Sequence, residues 1–200
     1  MNQFEPALIT VAIIGAGPLG RRLALRAAQA GFRVFLEDVM PSNLRHAEEA
    51  LRTALSAEKA LSAENMPLVR LVSTVEDAVR EADIAIDCVP DELESKLEIF
   101  CLLDRMSPPR TVFATPTTNL SIADLASCTY RPTQCVAIAL QATRLALDPV
   151  AEPLVPIQIT PQTSVATQTL VTDLFTALGY HVTAALDPAG VEKLGIGNRE

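Results

Sequence analysis

Gly15, Gly17 and Gly20 stand at G-x-G-x-x-G spacing, directly after the short apolar run Val11–Ile14 and directly before a helical pattern running from Arg21 through Ala30. Between a strand and a helix this spacing has a mechanism. The first glycine permits a tight turn, the second lets backbone approach a pyrophosphate, and the third lets helix and strand pack closely. Free N–H groups at the helix start, around Leu19 and Gly20, would face the phosphates. Pro18 suits a first helical turn, where no backbone donor is missed. A second strand, Arg33–Leu36, then ends in Glu37-Asp38. Asp38 lies close to the roughly 20-residue offset of an acid that binds the adenosine ribose. No arginine follows it directly, so the 2′-phosphate of NADP would meet a carboxylate, and NAD is the dinucleotide expected. The plainer alternative is a βαβ unit with a glycine turn and a solvated acidic pair.

Other chemistries find little support. His46 and His181 lie far apart, and Cys88, Cys101, Cys128 and Cys135 form no C-x-x-C, so no zinc site is expected. The cysteines sit inside apolar stretches, as buried thiols of a reducing cytoplasm do. With 16 Lys and Arg against 24 Asp and Glu, the net charge is −8 and no basic cluster forms. That argues against nucleic acid or an anionic membrane surface as partner. No apolar run reaches transmembrane length, and Met1 to Pro6 lacks the charged region of a secretion signal. A cytoplasmic protein with a substantial core is expected.

The elements that must position the glycine turn follow from periodicity. Leu44 to Leu61 reads as a long helix capped by Ser42 or Asn43, with Leu44, Ala47, Leu51, Ala54 and Leu55 on one face. Pro67 interrupts, and Leu68–Val72 is a third strand. Thr74 to Asp77 resembles a capping box opening a short helix to Glu81. Asp83–Val89 is almost continuously apolar, as a parallel strand buried on both faces should be. A helix from Pro90-Asp91-Glu92 to about Met106 follows, then a strand Thr111–Ala114, a polar turn Thr115–Asn119 and a short helix capped by Ser121 and running through Ala126. Cys135–Leu140 is a sixth strand and Gln141–Pro153 an irregular loop. Val155–Thr160 reads as an edge strand because Pro156 cannot donate to a ladder. Ser164–Leu178 is a helix ended by Gly179, and Tyr180–Ala184 an eighth strand. This alternation predicts an α/β, doubly wound, mostly parallel sheet of about eight strands. The expected partition is a dinucleotide-binding domain over 1–186 and a loose tail over 187–200.

Several ordered motifs go further than the glycine turn. Ala82-Asp-Ile-Ala-Ile-Asp-Cys-Val-Pro-Asp-Glu-Leu-Glu-Ser-Lys96, the G-A-G-x-x-G at 15–20, the acid at 38, the turn Thr115-Pro-Thr-Thr-Asn-Leu-Ser-Ile122 and Arg131-Pro132 stand in sequence. Together they resemble the NAD-binding domain of the 3-hydroxyacyl-CoA dehydrogenases over roughly residues 10 to 190. The resemblance implies NAD as cofactor, with Leu19 touching the pyrophosphate and Asp38 the ribose. It places Val89, Pro90 and Asp91 beside the nicotinamide half, and Lys96 as a basic residue near the cofactor. Thr118 falls where the family has a serine that contacts cofactor and substrate. Each also has an ordinary reading: Lys96 as a surface lysine, Thr118 as a residue closing a turn.

The resemblance also implies what this chain lacks. The family's catalytic histidine falls at Ala139, a neighbouring asparagine at Ala142, and the glutamate that orients the histidine near Pro156. The family's all-helical domain, which completes the acyl-CoA cleft and commonly makes the dimer, has no counterpart here. Three functions are consistent with this pattern. The first is an NAD(H)-binding protein of impaired chemistry. The second is an NAD-dependent oxidoreductase acting on a hydroxyacyl or small hydroxy-acid substrate, with Thr118, Asn119 or Lys96 replacing the missing pair or with a substrate domain supplied by a partner. The third is an interaction module whose sheet edge or long helix pairs with itself or with a helical partner. Homodimerisation is compatible with either of the first two.

Overall fold

The computed structural model describes residues 5–57, 68–139 and 154–187. Its strands are β1 (Thr10–Ile14), β2 (Arg33–Glu37), β3 (Val69–Val72), β4 (Ile84–Asp87), β5 (Val112–Pro116), β6 (Cys135–Ile138), β7 (Leu154–Ile159) and β8 (His181–Leu186). The helices are α1 (Pro18–Gln29), α2 (Pro41–Ala57), α3 (Val75–Val79), α4 (Leu93–Met106), α5 (Ile122–Ala126) and α6 (Val165–Ala177). All eight strands join one sheet in the order β3-β2-β1-β4-β5-β6-β7-β8. Pairing is parallel except between β6 and β7.

Burial explains the central strands. β1, β4, β5 and β6 are buried at every position, so both faces need covering and the sequence reads as a nearly unbroken apolar run. Leu23 and Ala27 of α1, Ala47 and Leu51 of α2, and Val171 and Phe175 of α6 cover one face. Val79 of α3, Phe100 and Leu103 of α4, and Leu125 of α5 cover the other. The chain leaves β1 toward β2 on one side and returns to β4 on the other. That reversal opens a crevice at the carboxyl ends of β1 and β4, where open parallel sheets take their ligands.

The helical pattern read from Arg21 extends back to Pro18, which keeps Pro18, Leu19 and Gly20 in the first turn of α1 as expected. Several expectations are corrected. α2 starts at Pro41, so Ser42 and Asn43 lie within it and cap nothing; residues 58–61 of the expected helix lie outside the described residues. Thr115 and Pro116 belong to β5 and are buried, not part of a polar turn. β7 is not an edge, since β6 and β8 flank it. Pro156 is tolerated there because its carbonyl accepts from Ala139 N–H at 2.7 Å, just past the last paired residue of β6. The missing donor thus falls at the margin of the ladder. The edge on this side is β8, exposed at five of its six positions; β3 forms the other. Asp187 is not tail: its buried carboxylate accepts from Ser121 Oγ at 2.7 Å and Ala123 N–H at 3.1 Å. Residues 188–200 and the loop expected over 141–153 lie outside the described residues, as do Leu140 and Ala142.

Only one cysteine, Cys135, is buried; Cys88, Cys101 and Cys128 are half-buried. Burial pushes the thiols of Cys128 and Cys135 up to about 12. Among the described residues no group of His, Cys, Asp and Glu is placed to hold a metal ion, and no helix is long and apolar enough to cross a membrane.

Candidate functional site

The turn from β1 to α1 forms the floor of the site. Gly15 has φ +103°, a left-handed conformation that only glycine adopts without strain, and its N–H donates to Glu37 O at 2.8 Å. A Cβ on Gly20 would lie 1.9 Å from Gly15 O, so the helix can approach the strand only with glycine there. A Cβ on Gly17 would meet nothing within 4 Å, because Gly17 faces open space. Gly17 is also the N-cap of α1, and no side chain caps that end. The first N–H groups of α1 therefore point out unclaimed by a cap, with the positive end of the helix behind them. A cradle this tight below and open above fits a diphosphate.

Asp38 sits at the lip of the same turn. Its carboxylate accepts from Ala16 N–H at 2.9 Å, Met40 N–H at 2.8 Å and Asn43 Nδ2 at 3.0 Å. The acid is thereby fixed beside the glycine bend, with acceptor capacity left for a sugar hydroxyl. Asn43, expected as a helix cap, instead reaches from the first turn of α2 to hold this acid. Asp38 itself serves the start of α2.

A crevice of about 900 Å³ connects these groups. Gly15, Gly17, Pro18, Leu19 and Asp38 line one stretch of it, and Val89, Pro90 and Asp91 another. Ser73 to Val75, with Ile99 and Leu102 of α4, add a wall that sequence reasoning did not identify. These residues sit on separate elements with no shared motif, so only the fold brings them together. Glu37 was also missed, hidden by its neighbour Asp38. It lines the crevice at 5 % exposure, and burial together with the Asp38 charge pushes its carboxyl up to about 7.

Four expected residues do not line this crevice: Gly20, packed against Gly15, and Lys96, Thr118 and Asn119. Lys96 is wholly buried in the floor, and is not a surface lysine. Its ammonium donates to Asp87 Oδ2 at 3.1 Å and to Thr115 Oγ1 at 2.9 Å, while that hydroxyl donates to Asp87 Oδ2 at 2.9 Å. Burial pushes the Asp87 carboxyl up against the pull of the Lys96 ammonium. The pair ties α4 to the tips of β4 and β5. The available signal was Asp87 in an otherwise apolar strand, with a lysine nine residues on. Thr118 and Asn119 are exposed, just beyond Pro116, which does line the crevice. Thr117, not Thr118, closes that turn, its hydroxyl accepting from Asn119 N–H and Leu120 N–H. His46 and His181 are exposed and line no part of it.

Comparison with known proteins places this geometry. Residues 10–187 match the family described as 3-hydroxyacyl-CoA dehydrogenase, NAD binding domain. A probable 3-hydroxybutyryl-CoA dehydrogenase of Bacillus subtilis (strain 168) is 33% identical over 133 residues, 63% of this chain and 46% of the relative. The mitochondrial hydroxyacyl-coenzyme A dehydrogenase of Homo sapiens is 29% identical over 196 residues, 90% of this chain and 60% of that protein. The chain thus spans about half the length of these curated relatives. Among solved structures, (S)-3-hydroxybutyryl-CoA dehydrogenase from Ralstonia eutropha shares the fold, with a TM-score of 0.80 at 21% identity, covering 94% of this chain and 73% of that one.

Proposed function

Because the chain belongs to the family of 3-hydroxyacyl-CoA dehydrogenase NAD-binding domains, whose cofactor is NAD, we propose that it binds NAD(H) in the crevice while lacking the base for the family's alcohol oxidation. The cofactor residues of this proposal are Gly15, Gly17, Pro18, Leu19, Gly20, Asp38, Val89, Pro90 and Asp91. The first N–H groups of α1 hold the diphosphate, Asp38 accepts from the ribose, and the Val89–Asp91 backbone borders the nicotinamide half. NAD, when bound, supplies hydride acceptance. A secondary alcohol that gives up a hydride must also lose its hydroxyl proton, and a positioned base contributes about 10²–10⁴-fold.

One observation carries the impaired reading. The positions that the family resemblance assigns to histidine and glutamate are neighbours here, Ala139 N–H donating to Pro156 O at 2.7 Å. Their adjacency supports the alignment, yet neither side chain can accept a proton. Lys96 does not fill the role, because its ammonium is enclosed by Asp87 and Thr115. Lys96 acts instead as a buried strut beneath the crevice.

The test combines two assays. NADH fluorescence titration, clean in a chain without Trp, should give saturable binding. NAD-linked turnover of 3-hydroxyacyl-CoA substrates should stay at background. Absence of NADH binding would remove the cofactor proposal, and robust turnover would remove the impairment.

A further inference from the structure

Glu37 is the last residue of β2, and the strand register sets it in a row between Val72 of β3 and Ile14 of β1. Next in that row, beyond Ile14, comes Asp87 of β4. Val72 and Ile14 belong to the core under α3 and α4, so Glu37 turns toward the same face and opens into the crevice at 5 % exposure. Its neighbour Asp38 takes three N–H donors. Its backbone carbonyl accepts from Gly15 N–H, but no hydrogen bond from the described residues reaches the Glu37 carboxyl; burial and the Asp38 charge are what act on it.

The charged groups lining the crevice are all acidic, and Arg70 of β3, on the same sheet face two residues before Val72, is exposed and not among its lining. Glu98 of α4 and Asp91 of the β4–α4 connection line the same crevice, and Asp87 does so from β4. The Lys96 ammonium is committed to Asp87. α2 and the β3–α3 turn contribute the uncharged Asn43, Ser73 and Thr74, while Glu76 and Asp77 of α3 are exposed and paired with Arg80. A diphosphate entering here meets one acid provided with donors and one acid with none. Beside a second carboxylate and an anionic ligand, the carboxyl without donors is biased toward its neutral form.

We propose that Glu37 holds the dinucleotide as the neutral acid, so that cofactor capture takes up one proton onto its carboxyl. The inference rests on the cofactor reading above. As an acid, Glu37 also gains a donor for the ring nitrogens and hydroxyl oxygens of the nucleoside, which the surrounding carboxylates cannot supply. In the free protein its carboxyl titrates near neutrality, pushed up to about 7, so the acid and its anion are both populated at working pH.

The test measures NADH affinity from about pH 5.5 to about 8.5 in wild type and in Glu37→Gln, with proton uptake read by calorimetry in buffers of different ionisation enthalpy. Wild-type affinity should hold below about pH 6.5 and fall about tenfold between about pH 6 and pH 8, with close to one proton taken up at the upper end. Glu37→Gln should keep the low-pH affinity throughout and take up no proton. Equal pH dependence in both proteins, or no proton uptake by wild type at about pH 8, overturns the inference. If Glu37→Gln fails to fold, wild-type proton uptake alone decides. NADH that binds neither protein at any pH defeats the cofactor reading itself, whereas pH-independent binding defeats only the role of Glu37.

Discussion

Replacing Lys96 by Met would leave Asp87 buried without its cation. The two side chains are 1% and 0% exposed and 3.1 Å apart. At an effective dielectric of about 20, that separation gives an attraction of about 5 kcal/mol. Removing one partner of a buried pair typically costs about 3–5 kcal/mol, because the survivor keeps its desolvation penalty. For a chain of this size each kcal/mol moves the midpoint by about 2–4 °C, so Lys96→Met should melt about 6–20 °C lower at pH 8. The deficit should shrink in acid. Without the ammonium, the folded-state pKa of Asp87 rises further above its unfolded value. The folded variant then binds the extra proton, its stability is fullest below the unfolded pKa, and it is lost as pH rises through the folded one. The double variant Lys96→Met/Asp87→Asn should recover much of the loss, since no charge is then stranded. Thermal melts of the three variants between about pH 5 and pH 8 decide the matter. A single variant as stable as wild type at pH 8, or a double variant no better than the single, would refute a buried strut.

Further consequences follow from the same geometry. Gly17→Ala meets no protein atom within 4 Å; it should cost less than about 1 kcal/mol in a thermal melt yet weaken NADH binding, because the methyl enters the diphosphate space. Gly20→Ala puts a Cβ 1.9 Å from Gly15 O and should destabilise by at least about 1–3 kcal/mol in denaturant titration. Glu37, raised from 4.5 to about 7, makes the fold less stable as pH climbs through that interval. The shift is worth about 3 kcal/mol before screening in the open crevice reduces it. Melts of Glu37→Gln should therefore gain on wild type at pH 8 and not at pH 4. Arg131 grips Asp104 Oδ1, Asp104 O and Pro108 O through its guanidinium and lies over Phe113. Arg131→Lys should lose about 2–3 kcal/mol in denaturant titration despite keeping the charge.

The parts of this fold governed by local rules are legible in the sequence. Gly15 and Gly20 were fixed by a turn and a close approach that no other residue meets. Thr74 and Ser121 cap helices where their positions indicated, and Ser164, read as the first residue of a helix, is its N-cap, each accepting from a backbone N–H three residues on. What stayed hidden depended on partners distant in sequence. Thr115 reads as a turn residue beside Pro116 and Thr117. It sits in a buried strand because Lys96 and Asp87 satisfy its hydroxyl. Asn43 reads as a cap, but Asp38 draws its amide and the helix begins at Pro41 instead. Pro156 signals an edge to any local rule, and only the short antiparallel overlap of β6 with β7 makes room for it inside the sheet. In the crevice, Asp38 was predictable from its offset. Glu37 was not, because its character comes from what surrounds it.

The most direct measurement is calorimetric titration of NAD and NADP into wild type and Asp38→Ala. Wild type should bind one NAD per chain and prefer it clearly over NADP. Loss of the anchored carboxylate should weaken NAD by about ten- to a hundredfold and erase the preference. An Asp38→Ala protein that binds NAD as tightly and selectively as wild type would contradict a cofactor held between the start of α1 and Asp38.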